Sequence, residues 1–188
     1  MKYEILTYGD PRLRQAVEKV KAPTPEIRQL AADMLEAMRA VDGVGLAATQ
    51  VGRPLALCVI IVPPEYDVLE EGGPRQNPGI TMPLILLNPE IVAASREEVS
   101  QNEGCLSFPD IHVPVRRAVE VTLQFVDLDG ARRMLTARHL LARAVQHELD
   151  HLRGVLLVDR MSPLKKISLA GQLKRLKLEG EEQAAGTG

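Results

Sequence analysis

The stretch from Thr136 to Leu152 constrains this chain more than any other. Leu140, Leu141, Ala144, Val145, Leu149 and Leu152 recur at helical spacing, with Thr136 as the expected cap and Gly154 as the expected stop. The predicted helix is apolar enough to be central, yet it carries His147-Glu148-Leu149-Asp150-His151. Histidines four residues apart leave a helix from one face, one turn apart, at a separation suited to sharing a metal ion. Read blandly, they are two histidines near acids. Read together with the apolar stripe, they ask for a fold built around a helix that is both core and polar site.

Two ligands do not hold a catalytic metal, because such sites usually have three protein ligands and a position open to water. Downstream of the helix there is no further His or Cys, and the carboxylates are Asp159, Glu179, Glu181 and Glu182. Upstream stands Glu103-Gly104-Cys105-Leu106-Ser107, a cysteine in a polar, glycine-containing segment that packing would not ask for. Cys105, His147 and His151 are therefore expected around one divalent ion, with water as fourth ligand. A thiolate donates charge to the ion and makes bound water a poorer acid, so an adjacent base is more necessary. Glu148 is placed to take that proton and hand it to a leaving amine.

Attack on an amide builds an oxyanion that needs hydrogen-bond donors. Gln50, at the end of Gly43-Val44-Gly45-Leu46-Ala47-Ala48-Thr49-Gln50, offers a side-chain amide, and the Leu106 N–H follows the ligand cysteine. Taken alone, Gln50 reads as a loop residue satisfying backbone groups, and Gly43 and Gly45 as turn glycines. His139 reads as a partly exposed bystander, and His112 falls in an expected loop.

The remaining pattern is mixed. Thr24 and Pro25 open an amphipathic helix that runs through Ile27, Leu30, Ala31, Met34, Leu35, Met38 and Val41 to Asp42-Gly43, with Glu26, Arg28, Asp33 and Arg39 on the opposite face. Residues 43–52 read as a glycine-bracketed loop, and Leu55 to Val62 as a buried strand with Cys58 as a structural thiol. Residues 63–83, with five prolines and three glycines, read as a long surface loop. Leu84 to Leu87 and Ile91 to Ala93 read as short strands around Asn88-Pro89, and Val119 to Phe125 turns at Asp129-Gly130 into a hairpin.

Ser162-Pro163 starts a last helix with Lys165, Lys166, Lys174, Arg175 and Lys177, and residues 179–188 read as a disordered tail. The expected fold is α+β: antiparallel strands and hairpins around a central metal-binding helix, with an amphipathic N-terminal helix and a C-terminal helix. One catalytic domain is expected over 1–178. Two cysteines among 188 residues fit a reducing compartment, and no apolar run nears the roughly 18 residues that span a bilayer. A net charge of -2 argues against a surface built for DNA. A cytoplasmic protein without membrane association is expected.

GVGLAATQ at 43–50, EGCLS at 103–107 and HELDH at 147–151 together resemble the three signature motifs of the peptide deformylases, in the family's order and with similar separations. The resemblance extends to about residue 160. It implies removal of the formyl group from the N-terminal formyl-methionine of new polypeptides, with formate released. It implies iron(II) as the physiological metal, with zinc, nickel or cobalt able to take the site. By motif, Cys105, His147 and His151 are ligands, Glu148 the general acid/base, and Gln50 with the Leu106 N–H the oxyanion donors.

The resemblance also implies an extended peptide held by main-chain contacts from Val44, Gly45 and Gly104, and a methionine pocket that includes Val44, Leu140 and Ala144. His112 falls where many members carry arginine, and 63–83 is longer than in compact members. A basic C-terminal helix in bacterial members can dock on the ribosome, which five cations here would suit. Competing expectations are a specialised deformylase paralogue, a metallopeptidase using the same histidine pair, and a non-catalytic, metal-stabilised peptide-binding module.

Overall fold

Strand alternation and helix caps decide most of the architecture, and a computed structural model describes it for residues 3–186. Helix α1 (Pro25–Arg39) starts where the Thr24 hydroxyl accepts from the Ile27 N–H, with Pro25 in its first turn. Its buried stripe is Leu30, Ala31, Met34, Leu35, Ala37 and Met38. Asp33, expected on the solvent face, is buried instead and accepts from the Gln29 side chain.

Residues 43–52 are not a loop. They form strand β1 (Gly45–Ala47) and a 3-10 turn (Ala48–Val51) closed by Gly52 in the left-handed region. Strand β2 (Leu57–Ile60) is fully buried, Cys58 included, and burial raises the Cys58 thiol well above its usual range. The two short strands expected around Asn88 are one, β3 (Leu84–Ala94). Asn88 takes a positive φ of 51° within it, and its side-chain amide bonds both the N–H and the C=O of Val20. That exchange lets a turn residue sit inside a strand.

Strands β4 (Glu98–Cys105) and β5 (Phe108–Ala118) form a separate two-stranded sheet, which puts His112 on a strand rather than in a loop. The predicted hairpin is β6 (Glu120–Val126) and β7 (Arg132–Arg138). The main sheet runs β1-β2-β3-β6-β7, antiparallel throughout.

Helix α2 (His139–Leu152) starts three residues later than the expected Thr136 cap. Thr136 lies in β7, its hydroxyl bonded to that of Thr122 across the ladder. Strand pairing therefore overrides the capping signal. Gly154 ends the helix with φ 71°, as expected.

Residues 63–83 hold a 3-10 turn (Pro64–Tyr66) and are tied down by two buried polar side chains. Asn77 donates to Asp67 and exchanges hydrogen bonds with both backbone groups of Arg138, the residue just before α2.

After α3 (Leu157–Arg160), the single basic helix expected at the C-terminus is two, α4 (Pro163–Ser168) and α5 (Ala170–Gly186), broken at Leu169. Residues 179–186, expected as a tail, continue α5; 187 and 188 lie outside the described residues. The tail reading failed because composition does not register backbone contact. Gly180 is buried against the carbonyls of Thr7 and Tyr8.

Candidate metal centre

Helix α2 lies between the two sheets, with Leu141, Ala142, Val145 and Leu149 in the main-sheet core. The same helix then points His147 and His151 at the hairpin β4–β5. A register shift between Glu103 and Cys105, just before the tight turn to Phe108, aims Cys105 toward them.

Cys105 Sγ is 3.2 Å from His151 Nε2, and the two imidazole Nε2 atoms are 3.3 Å apart. All three donor atoms lie within 4.8 Å of one another, and no other His, Cys, Asp or Glu among the described residues joins the group. An ion about 2.0–2.3 Å from two nitrogens and a sulfur needs donors separated on this scale. One thiolate and two imidazoles suit a divalent transition metal and are a poor set for magnesium or calcium.

The electrostatics agree. Burial alone would lower the His147 pKa, but the Cys105 and Glu103 partners outweigh it and raise it well above the ordinary histidine range. Surroundings that favour a proton there favour a metal cation too. His151 is pushed the other way, by burial first and then by the charges of His147 and Arg117, so its imidazole is neutral and can donate a lone pair.

Behind these three side chains lies a buried charge network. Glu103 accepts from Arg117 at 3.0 Å through each oxygen, from Arg143 at 2.5 Å, and faces His147 Nδ1 at 3.2 Å. Arg117 also reaches Asp150 at 2.5 Å, and Asp150 holds Arg160. Burial works against the Glu103 carboxylate, but His147 and Arg117 outweigh it and bring its pKa down to about 2. A carboxylate on the far nitrogen of a ligand histidine fixes the ring's tautomer and orientation.

The sequence reading gave Glu103 and Asp150 no role and passed over Arg117 and Arg143. The signals were present. Arg117 falls at the inward parity of β5, after Ile111, Val113 and Val115, and Arg143, His147 and Asp150 share one helical stripe.

Glu148 is 3% exposed, its Oε2 has no hydrogen-bond partner, and burial pushes its pKa up to about 7. It fits because Gly45 has no side chain; a Cβ there would collide with Glu148 Oε1. Gln50 is buried, with Oε1 accepting from the Ala47 N–H at 2.9 Å. Its Nε2 is 3.2 Å from Ser107 Oγ and 3.7 Å from Cys105 Sγ.

A cavity of about 570 Å³ opens onto this group. Val44, Gly45, Gly104, Leu140 and Ala144, all anticipated from the sequence, line it, together with Leu106, His112 and Glu148. Gln50 and His151 are buried and are not among its lining residues. His139, half-buried with φ 50°, is absent from the lining.

Two imidazoles from a central helix, a thiolate from a facing hairpin and a buried carboxyl at an open cavity make the site of a mononuclear metallohydrolase. The profile of the polypeptide deformylase family matches residues 2–167, and the chain belongs to that family. It is 46% identical over 157 residues to the peptide deformylase of Thermomicrobium roseum, covering 84% of each chain. With that of Rickettsia prowazekii it shares 42% identity over 175 residues, covering 93% of this chain and 96% of the other. Among solved structures, the peptide deformylase of Ehrlichia chaffeensis in complex with actinonin superimposes with a TM-score of 0.79 at 35% identity, over 93% of this chain and 96% of that one. Arabidopsis thaliana peptide deformylase 1B gives 0.82 at 35% identity, over 97% and 94%.

Proposed function

We propose that the chain removes the formyl group from the N-terminal formyl-methionine of newly made polypeptides, releasing formate. The observation that carries this reading is the convergence of Cys105, His147 and His151 beside the buried Glu148 at the mouth of one cavity. Cys105, His147 and His151 would hold the metal, and iron(II) is the ion the family reading assigns, with zinc, nickel or cobalt as substitutes. A divalent ion so held supplies a Lewis acid that makes water a nucleophile at neutral pH.

The chain's own residues do the rest. Glu148, with a pKa near neutrality, takes a proton from the attacking water and delivers it to the leaving amine as the C–N bond breaks. The Gln50 amide and the Leu106 N–H donate to the oxyanion that forms on the formyl carbonyl. Val44, Leu140 and Ala144 line the space for the methionine side chain. Val44, Gly45 and Gly104 leave backbone open to an extended peptide.

Nascent chains are the proposed partners, which places the protein in the cytoplasm. No helix among the described residues is long and apolar enough to cross a membrane. Ribosome contact through α4 and α5 is part of the same proposal. Lys166, Lys174, Arg175 and Lys177 are exposed, although Arg175 and Lys177 stand within 3.8 Å of Glu179 and Glu181, which reduces their pull on phosphate. Reversing Lys166 and Lys174 to Glu tests it: ribosome co-sedimentation should weaken and lose its salt dependence.

The central test is anaerobic formate release from formyl-Met-Ala-Ser by the iron-loaded protein, with elemental analysis of the same sample. Glu148→Ala should keep its metal and lose about 10²–10⁴-fold in turnover. A binding module would keep all its peptide affinity and show no turnover before or after the change.

A further inference from the structure

Residues 5–8 run between α5 and the site into a turn at Tyr8, and the N–H groups of 6, 7 and 8 alternate between the two. On one edge the Leu6 N–H donates to the Gln50 carbonyl at 2.8 Å, and the Tyr8 N–H to the Ser107 carbonyl at 2.9 Å. On the other edge the Gln183 side chain accepts from the Thr7 N–H at 3.0 Å and donates to the Ile5 carbonyl at 3.4 Å. This short rail thus touches the main chain of one proposed oxyanion donor, Gln50, and the residue following the other, Leu106. Those two segments are far apart in sequence, and the Gln50 side chain also links them directly, through Ser107 Oγ and Cys105 Sγ.

Helix α5 is shaped to press on the rail. Gly180 sits inside the helix, where glycine is normally unfavourable, and a Cβ there would come within 2.5 Å of the Tyr8 carbonyl oxygen and 2.6 Å of that of Thr7. Gly9 has φ 116°, and a Cβ there would collide with the Lys177 carbonyl. The rail is held from its far side as well, through the stack of Tyr8 on Phe108 at 4.7 Å.

We propose that the distal half of α5, through Gly180 and Gln183, is a positioning latch that sets the spacing of Gln50 and the Leu106 peptide by clamping residues 5–8 between them and the helix. This rests on the oxyanion role proposed above for those two groups. Gly180 and Gln183 touch no reacting atom; they act through the rail. Because misplaced donors cost transition-state contacts before they cost substrate contacts, the latch should be read in kcat rather than KM.

The test uses the full-length, iron-loaded chain and formyl-Met-Ala-Ser. Gln183→Ala and, independently, Gly180→Ala should each lower kcat about tenfold, with KM within twofold and metal content at one ion per chain. In a Gln50→Ala background, Gln183→Ala should add little, because the donor it positions is gone. A Gln183→Ala enzyme with unchanged kcat beside an impaired Gln50→Ala enzyme overturns the latch alone. So do additive losses in the double variant, or losses that track metal content. A Gln50→Ala enzyme with full turnover instead overturns the oxyanion reading, and the latch with it.

Discussion

Helix α2 meets two different neighbours. Toward the five-stranded sheet, Leu141, Ala142, Val145 and Leu149 pack with Ile60, Leu86, Val121 and Leu123, all buried and apolar. Toward β4–β5, Arg143, His147, Asp150 and His151 meet Glu103, Cys105 and Arg117 through ion pairs and hydrogen bonds. Apolar contact is non-directional, so the first face decides that the helix is held. Charge-assisted hydrogen bonds are directional, so the second decides how the imidazoles are oriented.

The largest expected effect comes from breaking the charged face. Arg117→Leu leaves Glu103 and Asp150 buried with one fewer cation each, and should cost about 3 kcal/mol or more in a denaturant titration, since unpairing a buried charge typically costs 3–5. A loss below about 1 kcal/mol would mean that the network is not a structural tie. Next, Glu103→Gln removes the anion behind His147, and metal affinity in chelator competition should fall about 10-fold or more. Equal affinity would show that packing alone orients the ring.

On the opposite face, Leu141→Met conserves volume and should cost less than about 1.5 kcal/mol, with metal affinity unchanged. If it loosens the metal as much as Glu103→Gln, the two faces are not separable. The smallest effect sharpens the contrast between buried and exposed ion pairs. Arg14 and Asp159 are bonded at 2.7 Å, but their side chains are 45% and 38% exposed. Burial alone would raise the Asp159 carboxyl, yet Arg14 and the Leu156 N–H hold it below its usual range. Its contribution is therefore present above the unfolded pKa of about 3.9 and is lost as pH falls through the lower folded value. Asp159→Asn should cost about 0.5 kcal/mol or less at neutral pH, and the difference from the parent should vanish in acid.

How much of this was legible in the sequence varied with the range of the signal. The histidine pair was visible because four residues is one helical turn, and Cys105 followed from the scarcity of other donors; the structure brings the three together as a group that could hold a metal. The five substrate-contact residues came from the family resemblance, and all five line the same cavity. The cap misassigned to Thr136 and the tail misassigned to 179–186 share a cause. In each case a local preference was overridden by a partner distant in sequence: Thr122 across a ladder for the first, the carbonyls of Thr7 and Tyr8 for the second. His112 and residues 43–52 were placed in loops because single residues and small-residue runs carry little period-2 signal.

Side-chain chemistry and short-range periodicity by themselves determined that this chain builds a helix bearing two imidazoles, needs a third ligand from elsewhere, and keeps a carboxyl beside them. Those are properties of residues and of one helical turn, and they survive without knowledge of any neighbour. Only the tertiary structure decided that Glu103 backs His147, that Gly45 makes room for Glu148, and that the end of the chain presses on its beginning at Gly180 and Gln183. Each of these joins residues more than forty positions apart. Such contacts depend on how sheets and helices close in space, and no local preference encodes that closure.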